Sequence, residues 1–446
     1  MLHSNTHYLG VWWNPINPDE QYYGTLFIEE ENAHLELLFM KDDLPNMKYQ
    51  NFARSFINAN NYTIHGYLGG LNSCPVTLFE VSFGDYEHQQ LYVLSHGKFY
   101  ISVKNIFFDK LISSPEERVF SKISISLTHL NDWIHPEYPK FDQKNDEYLL
   151  SFKRPEPSLL YDYDGIQIFI DKDFTERKSF GNAFNYSLQY TPFLIIKSEN
   201  KLSYSESLVI IEDLKTFMMA CMRCHPIIKE FNPYYEDEPL THDCFLTIGK
   251  HEEKRFIVYK QYADFLNFQD SFERWLKYFK SNRANFYMFM DLLDNTKNIQ
   301  EDRKCEQLVQ IIEGLYKAQG KEYVSISEEN FNLFIQDNKK HNQFMNNGCK
   351  TDRLFAKLVN IFIENKAEYF RPDFERIYGK SDEEILVRFI NAAKDFRNFF
   401  SHGAVKNKLD TLHPYYLNAI LLKAVRIIMI QDIIGLNNLN IELEDL

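Results

Sequence analysis

The string Arg397-Asn398-Phe399-Phe400-Ser401-His402, followed by Gly403, puts a guanidinium, an amide and an imidazole within six residues. Each group suits phosphate chemistry in a different way. The guanidinium is a permanent forked cation that matches phosphate oxygens. The imidazole, with an unperturbed pKa of ~6.5, takes up or releases a proton near neutral pH. The amide of Asn398 can donate to a phosphate or orient the histidine. Together they suffice for transesterification of RNA by its own 2′-hydroxyl, which needs a base, an acid and stabilisation of charge but no metal and no cofactor. Because the nucleophile is the 2′-OH, the chemistry selects RNA over DNA. The expected products are a 2′,3′-cyclic phosphate and a 5′-hydroxyl.

These residues must be carried by a helix. Ile385, Phe389, Ile390, Ala393, Phe396 and Phe400 recur at helical spacing over 382–401. Ser381-Asp382-Glu383-Glu384 supplies a helix start, with a capping hydroxyl and carboxylates in the first turn. Gly403 is expected to end the helix, and His413-Pro414 to open another over 412–434. Five residues of ideal helix subtend about 500°, which leaves Arg397 and His402 roughly 140° apart around the axis. Two routes bring them together: a loosened last turn at Ser401–Gly403, or a second subunit that completes the site.

The rest of the chain divides into a β-rich part, 1–264, and a helical part, 265–446, giving an α+β fold. In the first part Tyr23–Ile28 and Ala33–Phe39 flank an acidic turn and read as a hairpin. Further strands are expected at 62–68, 75–83, 90–94, 98–108, 121–128, 147–153, 166–171, 193–197, 244–248 and 255–260, with one helix at 205–222. Such spacing suggests a sandwich or a curved antiparallel sheet. Beyond residue 265, helices are expected at 268–294, 301–319, 327–345 and 350–369, ahead of the two already named. At 446 residues, two or three domains are the expectation. The net charge is −14, and it is unevenly placed: 24 basic against 37 acidic residues up to 265, and 25 against 26 beyond. Any RNA surface must therefore be a local patch, and the helical part is the less unfavourable place for one.

No secretory leader is expected at Met1–Trp13, and no window reaches the ~18 uncharged apolar residues of a membrane span. Six cysteines in a chain of this size make no disulfide framework, so a cytoplasmic protein with reduced thiols is expected. Cys221, Cys224 and His225, with His242 and Cys244, invite a zinc reading. Their spacing fits no common zinc module, and buried thiols at a helix end are the simpler account. His96, His129, His135 and His251 have no Ser or Cys partner in a recognisable setting and read as surface or packing residues. Tyr235-Glu236-Asp237-Glu238 lacks calcium-loop spacing and reads as a solvated loop. No G-x4-G-K-[ST] loop supports an NTPase.

The helical part resembles HEPN domains, helical bundles with an R-x4–6-H motif. That motif is matched here by Arg397 and His402, with Asn398 as the polar residue that often follows the arginine. In the same resemblance, the helix containing Leu308–Leu315 places Glu313 where an acidic residue recurs. Gly10-Val11-Trp12-Trp13 and Gly24-Thr25-Leu26, leading to Leu35-Glu36-Leu37, are similar to the opening of ApeA-type anti-phage proteins. Those couple a β-rich N-terminal domain to a HEPN domain. The resemblance implies a metal-independent ribonuclease that halts growth during phage infection, with its active site at a homodimer interface. The β-rich part would answer a phage-derived trigger or restrain the nuclease. Two other function classes stay open. One is a non-catalytic module that grips a nucleotide or RNA through Arg397 and His402; the other is an interaction protein that uses an aromatic-rich sheet.

Overall fold

A computed structural model of the chain describes residues 6–29, 32–40, 63–69, 74–90, 95–108, 111–113, 119–134, 140–144, 147–151, 156–180, 184–222, 224–235, 238–239, 245–246, 267–293, 299–320, 324–325, 350–351, 354–402 and 412–436. Two compact units emerge. The first comprises Met1–Met219, Cys224–Phe256 and Gln261–Ala263; the second comprises Ala220–Arg223, Ile257–Lys260 and Asp264–Leu446. The chain is thus α+β, a β-rich region followed by an almost wholly helical one. The expected strand 255–260, helix 327–345, His135, His242, Cys244, His251, Glu236, Asp237 and Gly403 lie outside the described residues.

In chain order the strands of the first unit are β1 (Thr6–Asn14), β2 (Asn17–Ile28), β3 (Ala33–Met40), β4 (Ile64–Leu68), β5 (Cys74–Phe79), β6 (Ser82–Gln90), β7 (Ser95–Val103), β8 (Asn105–Phe108), β9 (Val119–Leu127), β10 (Lys140–Lys144), β11 (Glu147–Ser151), β12 (Ser158–Tyr163), β13 (Ile166–Phe180), β14 (Phe184–Ser203), β15 (Ile228–Tyr235), β16 (Glu238–Pro239) and β17 (Phe245–Leu246). They form a nine-stranded sheet, β17-β8-β5-β4-β1-β2-β3-β7-β6, a six-stranded sheet, β12-β13-β14-β9-β15-β16, and the β10–β11 pair. All the pairings are antiparallel, as the period-two alternation leads one to expect. The expected hairpin is β2–β3, in register from Gly24 opposite Leu37 to Ile28 opposite Ala33.

Two expected strands prove to be broken. The stretch 75–83 is split at Glu80, whose φ of 51° no extended strand accommodates. The stretch 98–108 is split at Lys104, whose ammonium lies 3.6 Å from the Glu80 carboxylate. The core of the nine-stranded sheet is built around Trp12, which is fully buried among Leu26, Leu35, Ile64, Val76 and Ile101. Its indole lies against three glycines. Gly66 stands directly opposite on β4, Gly10 is two residues back on β1, and Gly24 is Gly10's partner on β2. A Cβ at Gly66 would collide with the indole ring. The short α1 (Leu130–Trp133) follows β9, and α2 (Tyr204–Cys221) follows β14. A reciprocal cap starts α2: Ser203 Oγ accepts from the Glu206 N–H, and the Glu206 carboxylate accepts from the Ser203 N–H.

The second unit holds α3 (Phe268–Leu293), α4 (Glu301–Ala318), α5 (Leu354–Val359) continuing as a π turn over Asn360–Asn365, α6 (Ala367–Tyr378), α7 (Glu383–His402) and α8 (Pro414–Ile427) continuing as a π turn over Ile428–Ile434. A two-residue strand pair, β18 (Val324–Ser325) with β19 (Lys350–Thr351), accompanies them. The expected helix 350–369 is therefore not a single element. Its backbone leaves helical geometry at Lys366 (φ −131°), and α6 runs nine residues past the expected end. Tertiary contacts explain the break. The buried Lys366 ammonium donates to Gln431 Oε1 at 2.8 Å and to Asp432 Oδ1 at 2.9 Å, both in the second π turn. Among the described residues no helix is long and apolar enough to cross a membrane.

Candidate functional site

The helix that carries Arg397 forms as its apolar stripe dictates. Ile385, Phe389, Ile390, Ala393 and Phe396 are all buried. Its cap differs from expectation: the carboxylate of Asp382, not the hydroxyl of Ser381, closes the first turn, accepting from the Ile385 N–H at 3.0 Å. That bond holds the Asp382 carboxyl below the usual carboxylate range, with the nearby Lys380 ammonium contributing. Ser381 serves through its backbone, where its carbonyl accepts from Arg371 at 3.1 Å.

The helix packed against α7 is α4, whose Leu308, Val309, Ile311, Ile312, Leu315 and Tyr316 are buried. Glu301 and Asp302 in its first turn and Lys317 in its last complement the helix dipole. Glu313 falls at the margin of the apolar face, and its carboxylate meets the Arg397 guanidinium. Arg397 Nη2 donates to Glu313 Oε2 at 3.3 Å, and Nη1 donates to Asn398 Oδ1 at 3.4 Å. The two side chains keep 25% and 27% of their surface exposed, so the pair stands at a rim where a ligand can reach it.

His402 is the last residue of α7, and its side chain lies outside the described residues. The helix is unbroken from Glu383 to His402, so the backbone sets His402 roughly 140° around the axis from Arg397 and about 7.5 Å along it. Arg397, Asn398 and Glu313 are thus brought together, and the helix itself does not turn His402 toward them. One neighbour escaped the sequence reading. Gly314 has the Asn285 amide of α3 packed over its Cα, in the place a side chain would occupy. A glycine in mid-helix costs about 1 kcal/mol against alanine, which is the signal that a close approach needs it.

The remaining candidates separate plainly. Cys221 ends α2, and it and Cys224 are buried, in keeping with thiols at a helix end. Among the described residues no group of three or more His, Cys, Asp or Glu side chains is placed to hold a metal ion. His129 turns the chain into α1 with a φ of 59°, its Nδ1 3.2 Å from Asp132 Oδ2. His96 is placed by its backbone alone, paired with Met40 in the nine-stranded sheet. His65, not singled out beforehand, is buried with Nε2 2.9 Å from the Ile112 carbonyl, a packing role.

A family model described as ApeA N-terminal domain 1 matches residues 7–277, more than half of the chain. No curated protein and no solved structure matches it.

Proposed function

The chain belongs to the ApeA N-terminal domain 1 family, and on that premise we propose that it is an anti-phage defence protein whose helical unit is a metal-independent endoribonuclease. The observation that carries the catalytic part is the rim-standing Arg397, held between Glu313 of a neighbouring helix and its own Asn398. Such a clamp presents a guanidinium in a fixed orientation to a phosphodiester. In the proposed reaction His402 takes the proton from a 2′-hydroxyl, and the 2′-oxygen bonds to phosphorus. The bond from phosphorus to the 5′-oxygen breaks, and that oxygen receives a proton from a protonated histidine. Arg397 offsets the charge that builds on the non-bridging oxygens. Because the unbroken α7 separates Arg397 and His402 around its axis, a second copy of the chain supplies the histidine that completes each site. The β-rich unit holds the nuclease silent until a phage-derived signal reaches it.

The test is RNA integrity after induction of the wild type, Arg397→Ala and His402→Ala. The expected outcome is cleavage by the wild type alone, with ends carrying 2′,3′-cyclic phosphate and 5′-hydroxyl. Loss of the arginine is expected to slow cleavage by ~10²–10³-fold, and loss of the histidine by ~10²–10⁴-fold. Equal RNA integrity in all three, with binding retained, would instead establish a non-catalytic RNA-binding module.

A further inference from the structure

In a chain of net charge −14, α3 carries Arg274, Lys277, Lys280 and Arg283 with no acidic residue between Arg274 and Met290. All four are exposed; Arg274, Lys277 and Lys280 lie away from the buried Phe272, Trp275 and Phe279, and Arg283 follows one turn past Phe279, just after a break in the helix. Among the described residues none of the four has a carboxylate within ion-pair distance, and Arg283 merely covers the Phe279 ring at 5.1 Å. Several other cations of the helical unit are matched. Lys304 pairs with Glu301, Lys366 with Asp432, Lys380 with Glu384 and Lys423 with Asp373. Four unmatched cations over ten residues, about 13 Å of helix, make a local positive track on an acidic protein.

The track has a direction. A break in α3 at Asn282 (φ −131°) falls just before Arg283. Two residues past Arg283, the Asn285 amide rests on Gly314, the immediate neighbour of the Glu313 that holds Arg397. The positive face therefore leads to the helix crossing beside the Arg397 clamp. We infer that the exposed face of α3, through Arg274, Lys277, Lys280 and Arg283, is the surface that holds the RNA backbone and delivers a phosphodiester to Arg397. This rests on the reading of the helical unit as an RNA-handling domain. An anionic membrane is the lesser fit, because a membrane-surface helix needs an exposed apolar face beside its cations. Here the apolar face of α3 is buried, and between Arg274 and Ala284 its exposed residues are Arg, Lys, Ser and Ala.

Binding of a labelled single-stranded RNA to the full-length chain is measured as a function of salt, in the uncleaving His402→Ala background and with chelator present. Each phosphate neutralised on a single strand contributes ~0.7 to the slope of log affinity against log salt. The Lys277→Gln/Lys280→Gln/Arg283→Gln variant removes three exposed, unpaired cations and is expected to keep its fold, which circular dichroism verifies. The expected result is a slope flatter by about two, with weakening that is uniform across RNA sequences. An unchanged slope and affinity would overturn the inference, as would a loss of binding to phosphatidylserine vesicles with RNA binding untouched. RNA that is bound with the expected slope but left intact by the wild type would sink the nuclease and support the track. RNA that is cut while the slope stays fixed would do the reverse.

Discussion

Arg397 meets the Glu313 carboxylate and the Asn398 amide, and these contacts make different demands on its neighbours. A lysine at 397 keeps the charge but loses the planar fork, so Arg397→Lys is expected to stay within about tenfold of Arg397→Ala in cleavage rate. Full restoration by lysine would show that charge alone suffices. Glu313→Gln keeps the shape and removes the charge. With about a quarter of each side chain exposed, the pair adds at most ~1 kcal/mol to stability. Thermal unfolding should therefore shift little, while single-turnover cleavage falls by roughly tenfold as the guanidinium loses its hold. Arg397 and Asn398 were legible as a string of phosphate-handling types. The seat of Asn285 over Gly314 was not, because it depends on two helices meeting and on no local pattern.

Helix starts and breaks show where the chain's own chemistry decides an element and where packing does. The apolar stripe of α7 was legible residue by residue, but its cap was assigned to the hydroxyl of Ser381 when the carboxylate of Asp382 fills that place. The distinction has a pH signature. The folded-state pKa of Asp382 lies below its ordinary 3.8. Its ionised form therefore stabilises the folded chain at neutral pH, and that contribution fades as the pH falls through the acid range below about 4. Asp382→Ala is expected to lower the melting temperature most at pH 7 and to converge on the wild type near pH 2–3. A hydroxyl cap would give no such convergence. The break at Lys366 was beyond the sequence, because the groups that draw its ammonium out of line, Gln431 and Asp432, stand 65 and 66 residues away. Pro233 likewise disguised β15, which pairs with β9 despite the missing donor.

At the scale of the molecule the β-rich part carries nearly all the net negative charge, and the helical part is close to neutral. The antiparallel sheets and the helical bundle were legible from periodicity alone, whereas the order of nine strands in one sheet was not, since it joins residues far apart in the chain. If each site takes Arg397 from one copy and His402 from another, mixing Arg397→Ala with His402→Ala chains regenerates one intact site per mixed dimer. Cleavage at about a quarter of the wild-type level is then expected, given random pairing and one restored site in half of the dimers. No recovery on mixing would place both groups in the same copy. The three glycines around Trp12 bear on how this protein can change over time. Any replacement at Gly66 adds at least a methyl against the indole, an overpacking that costs about 1–3 kcal/mol. Gly66→Ala should thus melt early, and Trp12→Phe, harmful alone, should recover part of that loss when the two are combined. The route to variation at that strand crossing runs through the tryptophan first, so the four positions are expected to drift only as a set.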